Sequence, residues 1–159
     1  MIVVDANIVI SLVYRMAGTE SARAVHAQDD LWLVPSLWRY EVLNALLNLF
    51  RSGCFDLASA EAMWRIADEL LDSGVRAVDP VETLSTAQAT RLTAYDATYV
   101  VLARSLGVLL VTEDKQILRA CPDVARSMKQ FLSPPEAPLA VREKPATYKT
   151  RRAGKRGGP

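Results

Sequence analysis

The sequence predicts an α/β fold, a three-layer sandwich in which a central parallel sheet is flanked by helices. Three observations point there. Short runs that are apolar throughout, such as Ile2-Val3-Val4 and Val108–Val111, suit strands covered on both faces. These runs alternate with longer segments of helical period. No Asn-Gly or Asp-Gly pair occurs, so nothing signals the tight hairpins of an antiparallel sheet.

Ile2–Val4 is the first expected strand, and a helix follows from about Ala6 to Met16, before Gly18. Thr19 and Glu20 open a second helix, which runs through Ala27 to a turn at Asp29-Asp30. Leu31–Val34 reads as a strand stopped by Pro35. From Ser36 to Arg51, Leu43, Leu46, Leu47 and Phe50 recur at i, i+3, i+4 and i+7, an amphipathic helix ended by Gly53. Its opposite stripe is polar, with Glu41, Asn44 and Asn48. The next helix, Asp56 to Leu71, is apolar over a wide arc that includes Met63, Trp64, Ile66 and Leu70, and it closes at Gly74. Val75–Val78 is a strand, Pro80 starts a helix to about Arg91, and Thr93 starts another that ends at Gly107. A strand at Val108–Val111, a short helix at Lys115–Ala120 and a weak strand at Val124–Met128 complete the order.

With 159 residues, 50 % of them hydrophobic and 23 % charged, the chain suits one globular domain. Ample apolar surface excludes disorder as the main state, and only 7 Gly and 8 Pro exclude a collagen-like repeat. No apolar run reaches the roughly 18 residues of a membrane span. Asp5 stands where a signal peptide needs its apolar stretch, so the expected compartment is the cytoplasm. Cys54 and Cys121 are too few for a disulfide framework and lack metal-ligand spacing. The formal charge of +1 hides an asymmetry. Residues 141–159 hold seven Lys/Arg against Glu143 alone, whereas the first 140 residues carry 12 basic and 17 acidic groups. Residues 1–132 are expected to form the domain and 133–159 a Pro-containing, basic, disordered tail. Such a tail either solubilises the chain or acts as an electrostatic arm toward nucleic acid.

Four acids stand out by position. Asp5 ends the first strand, Asp114 lies three residues past the 108–111 strand, and ligands of open α/β sheets bind outside the carboxyl ends of strands. Glu41 and Asp96 lie on the helices after the second strand and before the 108–111 strand. Each acid also has a purely structural reading. Asp5 and Asp114 suit helix N-caps, Thr93 with Asp96 suits a capping box, and Glu41 suits a solvated helix face. His26, the only histidine, reads as a packed surface residue, and Trp32, Trp38 and Trp64 as core or interface aromatics. Taken singly, the structural readings prevail.

The surrounding words change the balance. Val3-Val4-Asp5-Ala6-Asn7, Pro35-Ser36-Leu37-Trp38-Arg39-Tyr40-Glu41-Val42-Leu43-Asn44-Ala45-Leu46, Thr93-Ala94-Tyr95-Asp96-Ala97-Thr98-Tyr99-Val100-Val101-Leu102-Ala103 and Leu109-Leu110-Val111-Thr112-Glu113-Asp114-Lys115 follow one another in that order. This pattern resembles the PIN-domain ribonucleases and, among them, the VapC-type toxins of prokaryotic toxin–antitoxin pairs. The resemblance covers about Met1 to Met128. It implies a PIN-like fold, with Asp5, Glu41, Asp96 and Asp114 as the metal-binding and catalytic carboxylates and with Asn7 and Thr112 in support. It also implies a metal-dependent endoribonuclease, a small cognate antitoxin that blocks the acidic cleft, and a homodimer. Gln116 stands where some members of the family carry a further acid, which leaves a second metal site incomplete.

Elementary chemistry agrees with the resemblance. Clustered carboxylates repel and raise one another's pKa until a cation neutralises them. A set of oxygen donors without His or Cys suits Mg²⁺ or Mn²⁺ better than Zn²⁺. RNA brings negative charge to an acidic pocket, so basic groups must help, with Arg39 beside Glu41 as a candidate phosphate contact. An antitoxin has two physical routes in: an Arg forked onto the carboxylates, or an apolar helix laid against the 56–71 helix, a face that also suits a homodimer. Other activities want other residues. Aspartyl-phosphate chemistry needs a second Asp where Asn7 stands, a receiver domain needs an acidic pair beside Asp5, and dinucleotide binding needs a Gly-rich turn where Ala6-Asn7-Ile8 stands. A non-catalytic PIN-like module that binds RNA or a partner, and a housekeeping RNA-processing nuclease, are the alternatives.

Overall fold

Ile2–Val4 forms strand β1, and its three residues are all buried because helices cover both of its faces. The computed structural model describes residues 1–15 and 17–133. After β1 come helices α1 (Ala6–Val13) and α2 (Thr19–Gln28), strand β2 (Trp32–Pro35), and helices α3 (Trp38–Arg51) and α4 (Leu57–Leu71). A 3-10 turn at Asp72–Gly74 leads into β3 (Val75–Arg76), followed by α5 (Pro80–Thr90) and α6 (Ala94–Leu106). The chain ends, among the described residues, with β4 (Leu110–Val111), α7 (Lys115–Ala120), β5 (Ala125–Arg126) and α8 (Met128–Leu132).

The five strands are parallel and ordered β3-β2-β1-β4-β5. Val3 registers with Leu33 on one side and with Leu110 on the other, so β1 is the axis of the sheet. The chain builds outward from β1 through β2 and β3, then crosses back to lay β4 on the opposite edge. That reversal opens a crevice at the carboxyl ends of β1 and β4. Two apolar cores lie against the sheet. One gathers Val4, Ile8, Trp38, Val42 and Leu71, and the other gathers Val3, Leu33, Tyr99, Leu102 and Ile117. Alternate residues of β1 thus feed opposite layers, as a three-layer sandwich requires. Gly74 permits a close approach: a Cβ there would sit 2.1 Å from the Trp32 carbonyl oxygen. Any side chain would force β2 away from the turn that feeds β3.

Several boundaries differ from expectation for identifiable reasons. The first helix stops at Val13, where Tyr14 turns extended and packs edge-on against Phe55 with ring centroids 5.3 Å apart. Strand β3 is two residues long because β2 ends at Pro35, which pairs with Arg76 and leaves nothing beyond to bond. Strand β4 starts late because the Val108 N–H still bonds the Ala103 carbonyl of α6. The 124–128 segment is strand only at Ala125–Arg126, after which Ser127 and Gln130 close a capping box that starts α8, a helix the periodicity did not suggest. His26 packs edge-on against Trp32, and Trp38 stacks on Trp64 with centroids 5.3 Å apart, so these side chains serve packing. No helix among the described residues is long and apolar enough to cross a membrane. Of the expected tail, residues 134–159 lie outside the described residues.

Candidate active site

Asp5 is the first residue past β1, and at 8 % exposure its carboxylate is almost withdrawn from water. A buried carboxylate needs donors, and two reach it: Thr112 Oγ1 donates to Oδ2 at 2.6 Å and Asn7 Nδ2 donates to the same oxygen at 2.7 Å. Asp5 holds the N-cap position of α1 but makes no side-chain cap bond. Its carboxylate points to β4 instead. Thr112, fully buried just past β4, is the hub: its Oγ1 also accepts from the Asp114 N–H at 2.9 Å and from Asn7 Nδ2 at 3.2 Å. Asn7 Oδ1 in turn accepts from the Glu113 N–H at 3.2 Å. The ends of β1 and β4 are therefore pinned by side chains as well as by the sheet.

The other acids come from helices. Asp114 caps α7, with Oδ1 accepting from the Gln116 and Ile117 N–H groups at 2.6 and 3.1 Å. Asp96 completes the capping box of α6, its Oδ2 accepting from Thr93 Oγ1 at 2.7 Å and from the Thr93 N–H at 3.3 Å. Both structural readings of these acids are thus realised, and each spends one named carboxylate oxygen. Glu41 lies in the first turn of α3, half-buried, and the Tyr99 hydroxyl donates to its Oε2 at 2.5 Å.

Charge couples the four. Burial, the largest influence, pushes the Asp5 carboxyl above the ordinary carboxylate range; hydrogen bonds from Thr112 and Asn7 pull it back, and the charges of Asp96 and Asp114 push it further up. Burial likewise raises Glu41 to about 7, against the Tyr99 hydrogen bond and with the help of Asp5 and Asp96. The Tyr99 phenol is itself raised by burial and by the neighbouring Glu41 charge, so it stays a donor. Asp5 and Glu41 each feel two of the other acids. Among the described residues, no three acidic, His or Cys side chains already stand as a closed cation cage.

Arg39 is engaged elsewhere. Its guanidinium lies over the Trp38 ring and pairs with Asp68 at 3.2 Å and with Asp72 at 3.6 Å. Tyr99 is the residue that sequence reasoning missed. It lies three positions after Asp96, one turn along the same helix face, and that spacing from a flagged acid was the available signal.

A parallel sheet whose strand order reverses beside a cluster of coupled carboxylates defines a known class. The PIN domain family model matches residues 2–121, and the chain belongs to that family. The chain is 31 % identical over 123 residues to Ribonuclease VapC3 of Mycobacterium tuberculosis, which covers 76 % of this chain and 88 % of the relative. It is 36 % identical over 104 residues to Exonuclease VapC9 of Pyrobaculum aerophilum, covering 60 % of this chain and 76 % of the relative. The crystal structure of PAE2754 from Pyrobaculum aerophilum superposes with a TM-score of 0.64 at 30 % identity, over 82 % of this chain and 92 % of that one.

Proposed function

We propose that this chain is a metal-dependent endoribonuclease that hydrolyses RNA phosphodiesters, and that it is the toxin of a toxin–antitoxin pair working in the cytoplasm. The observation that carries the reading is the crevice at the ends of β1 and β4, where the nearly buried Asp5 is held by Thr112 and Asn7. Burial raises the Asp5 and Glu41 carboxyls, and the charges of neighbouring acids add to it: Asp96 and Asp114 for Asp5, Asp5 and Asp96 for Glu41. A fold does not gather like charges at a strand edge for stability. The ribonuclease and exonuclease names of the two VapC relatives support the same chemistry.

The donor set fits a hard divalent cation, because Asp5, Glu41, Asp96 and Asp114 offer oxygen alone. When bound, Mg²⁺ or Mn²⁺ supplies Lewis-acid stabilisation of the phosphate and a more acidic water. The chain's own residues do the rest. Thr112 and Asn7 orient the Asp5 carboxylate, Tyr99 orients Glu41, and the caps of α6 and α7 fix the backbones of Asp96 and Asp114. With its carboxyl raised to about 7, Glu41 divides between protonated and ionised forms near neutral pH, and positive charge brought beside it would favour the ionised form. A phosphate contact from Arg39 requires its pairing with Asp68 and Asp72 to open.

Partners follow from the same surface. A small antitoxin can place an Arg on the carboxylates, where a guanidinium forks onto paired oxygens. It can also lay an apolar segment into the groove of about 260 Å³ between α3 and α4, lined by Leu43, Leu47, Phe50, Leu57 and Trp64. That face equally suits a homodimer. A second reading, a non-catalytic PIN-like module, draws on the absence of three acids at ligand spacing among the described residues.

The deciding experiment is end-mapping of RNA cut by the full chain with Mg²⁺ or Mn²⁺, beside Asp5→Asn. New internal 5′ ends that vanish in the variant are expected. Trimming from termini alone removes the endonuclease reading, and equal RNA binding without any cutting establishes the binding module. Cutting by a chain that is harmless in cells and indifferent to neighbouring small proteins makes it a housekeeping nuclease.

A further inference from the structure

A recess of about 310 Å³ opens at the carboxyl edge of the sheet, at the lower end of the roughly 300–1,000 Å³ typical of small-ligand pockets. Its walls come from the carboxyl ends of β2 and β3 and from the first turn of α6. Pro35 and Arg76 are the last residues of the two strands, Leu37 precedes the helix that carries Glu41, and Tyr95 immediately precedes Asp96. The recess thus meets the start of the helix that carries Glu41 and the first turn of the helix that carries Asp96.

Its chemistry is mixed in a particular way. Leu37 and Val78 give apolar walls, Ser36 and Thr98 give hydroxyls, and Tyr95 stands 68 % exposed at the rim. Arg76 is held in place, its Nη1 donating to the Ser73 and Val75 carbonyls at 2.8 and 2.9 Å. Among the described residues it pairs with no carboxylate, a state it shares with Arg15, Arg51, Arg91, Arg119 and Arg126, but of these six it is the one that lines this recess. An exposed aromatic face, polar groups for base edges and an uncompensated guanidinium are the features that single-stranded nucleic acid seeks.

We propose that this recess holds one base of a single-stranded RNA, stacked on Tyr95, with Arg76 against an adjoining phosphate. The assignment rests on the ribonuclease reading and names the subsite that positions the strand across the acids. A protein segment is the competing occupant, but an unpaired guanidinium in a recess with no carboxylate in its lining favours a chain that carries its own negative charge.

The test uses the full chain carrying Asp5→Asn, so that RNA is bound without being cut, and single-stranded oligonucleotides with 2-aminopurine placed at successive positions. One position is expected to be quenched by stacking. Adding Tyr95→Ala is expected to abolish that quench and to weaken binding about five-fold or more, while Tyr95→Phe keeps both. Arg76→Gln is expected to reduce the salt dependence of binding by about one unit of slope. Tyr95 is exposed, so the variants should fold, and thermal melts verify that they do. Unchanged binding and quench in Tyr95→Ala overturn the pocket, as does a chain that binds no RNA at all. Cleavage by the chain with Asp5 intact is scored separately. Cutting with no Tyr95 effect sinks the pocket alone, and a Tyr95-dependent quench without any cutting sinks the nuclease reading alone.

Discussion

Helix α3 takes part in two regions built on opposite rules. At its start Glu41 joins the acidic crevice, where the oxygens of Asp5, Asp96, Asp114 and Glu41 are met by donors from the same chain. Farther along, Leu43 and Leu47 are 44 % and 38 % exposed and border the α3–α4 groove with nothing from the described chain laid over them. The crevice holds an excess of like charge, which asks for a cation. The groove holds an excess of apolar surface, which asks for another molecule. The first is an internal electrostatic cost, and the second costs the isolated chain little and matters on assembly. Substitutions in the two regions should therefore fail in different assays.

The largest effect is expected from Thr112→Val. It removes the hydroxyl that Asp5, Asn7 and the Asp114 N–H share. Supporting bonds of this kind typically carry about 10–100-fold in metal affinity or activity. A buried carboxylate left short of a donor also costs about 1–3 kcal/mol of stability, readable as a lowered denaturant midpoint. If Thr112→Val cuts RNA like the parent chain, the side-chain pin between the two strand ends has no functional meaning.

Tyr99→Phe comes next. It deletes only the hydroxyl that orients Glu41 and leaves the ring in its core. About ten-fold weaker Mn²⁺ binding by calorimetry is expected, with a smaller loss of stability than for Thr112→Val because Glu41 is half-exposed. Unchanged Mn²⁺ affinity would make the bond ordinary core satisfaction.

In the groove, Leu47→Glu should do the reverse. Cleavage and melting temperature are expected to stay near the parent values, since the side chain is already partly in water, while co-purification with a small partner or self-association is lost. A drop in cleavage of the isolated chain would show that the two regions are not separable.

The smallest effect is a pH slope. The folded-state pKa of Glu41 is raised from 4.5 to about 7, so between those values the folded chain binds more protons than the unfolded one. Its contribution to stability is fully present below about 4.5 and is lost as pH rises through about 7. Metal-free protein should therefore melt at a falling temperature across that window, and Glu41→Gln should flatten the fall. A Glu41→Gln chain with the parent's slope would place the charge excess elsewhere.

The parallel sheet was legible because β1 and its neighbours are buried on both faces and write that burial as unbroken apolar runs. The β1–β4 crevice was legible from Asp5 and Asp114 at strand ends and from the words around all four acids. What escaped was set by partners distant in sequence. Val75–Val78 looks like a longer strand than β2 can pair, and α8 rests on the Ser127–Gln130 cap within a segment whose apolar pattern suits a strand. The α3 leucine stripe gave the right helix but not which of its residues the core takes: Leu46 joins Trp38 and Val42 inside, while Leu43 and Leu47 edge the groove. The Tyr99–Glu41 bond and the Arg39–Asp68 ion pair are contacts across 58 and 29 residues, beyond the reach of local periodicity.

The Thr112–Asp5 bond joins residues 107 apart. Because β1 is the middle strand, the first residues made must wait for nearly the whole domain before their second neighbour in the sheet exists. At the usual pace of about 5–20 residues per second, a growing chain spends several seconds with Asp5 made and Thr112 and Asp114 not yet added. Chains released between residues 96 and 112 carry three of the acids and lack the Thr112 bond. If the crevice is what cuts RNA, the order of synthesis itself leaves the site unassembled until β4 and Asp114 have been added.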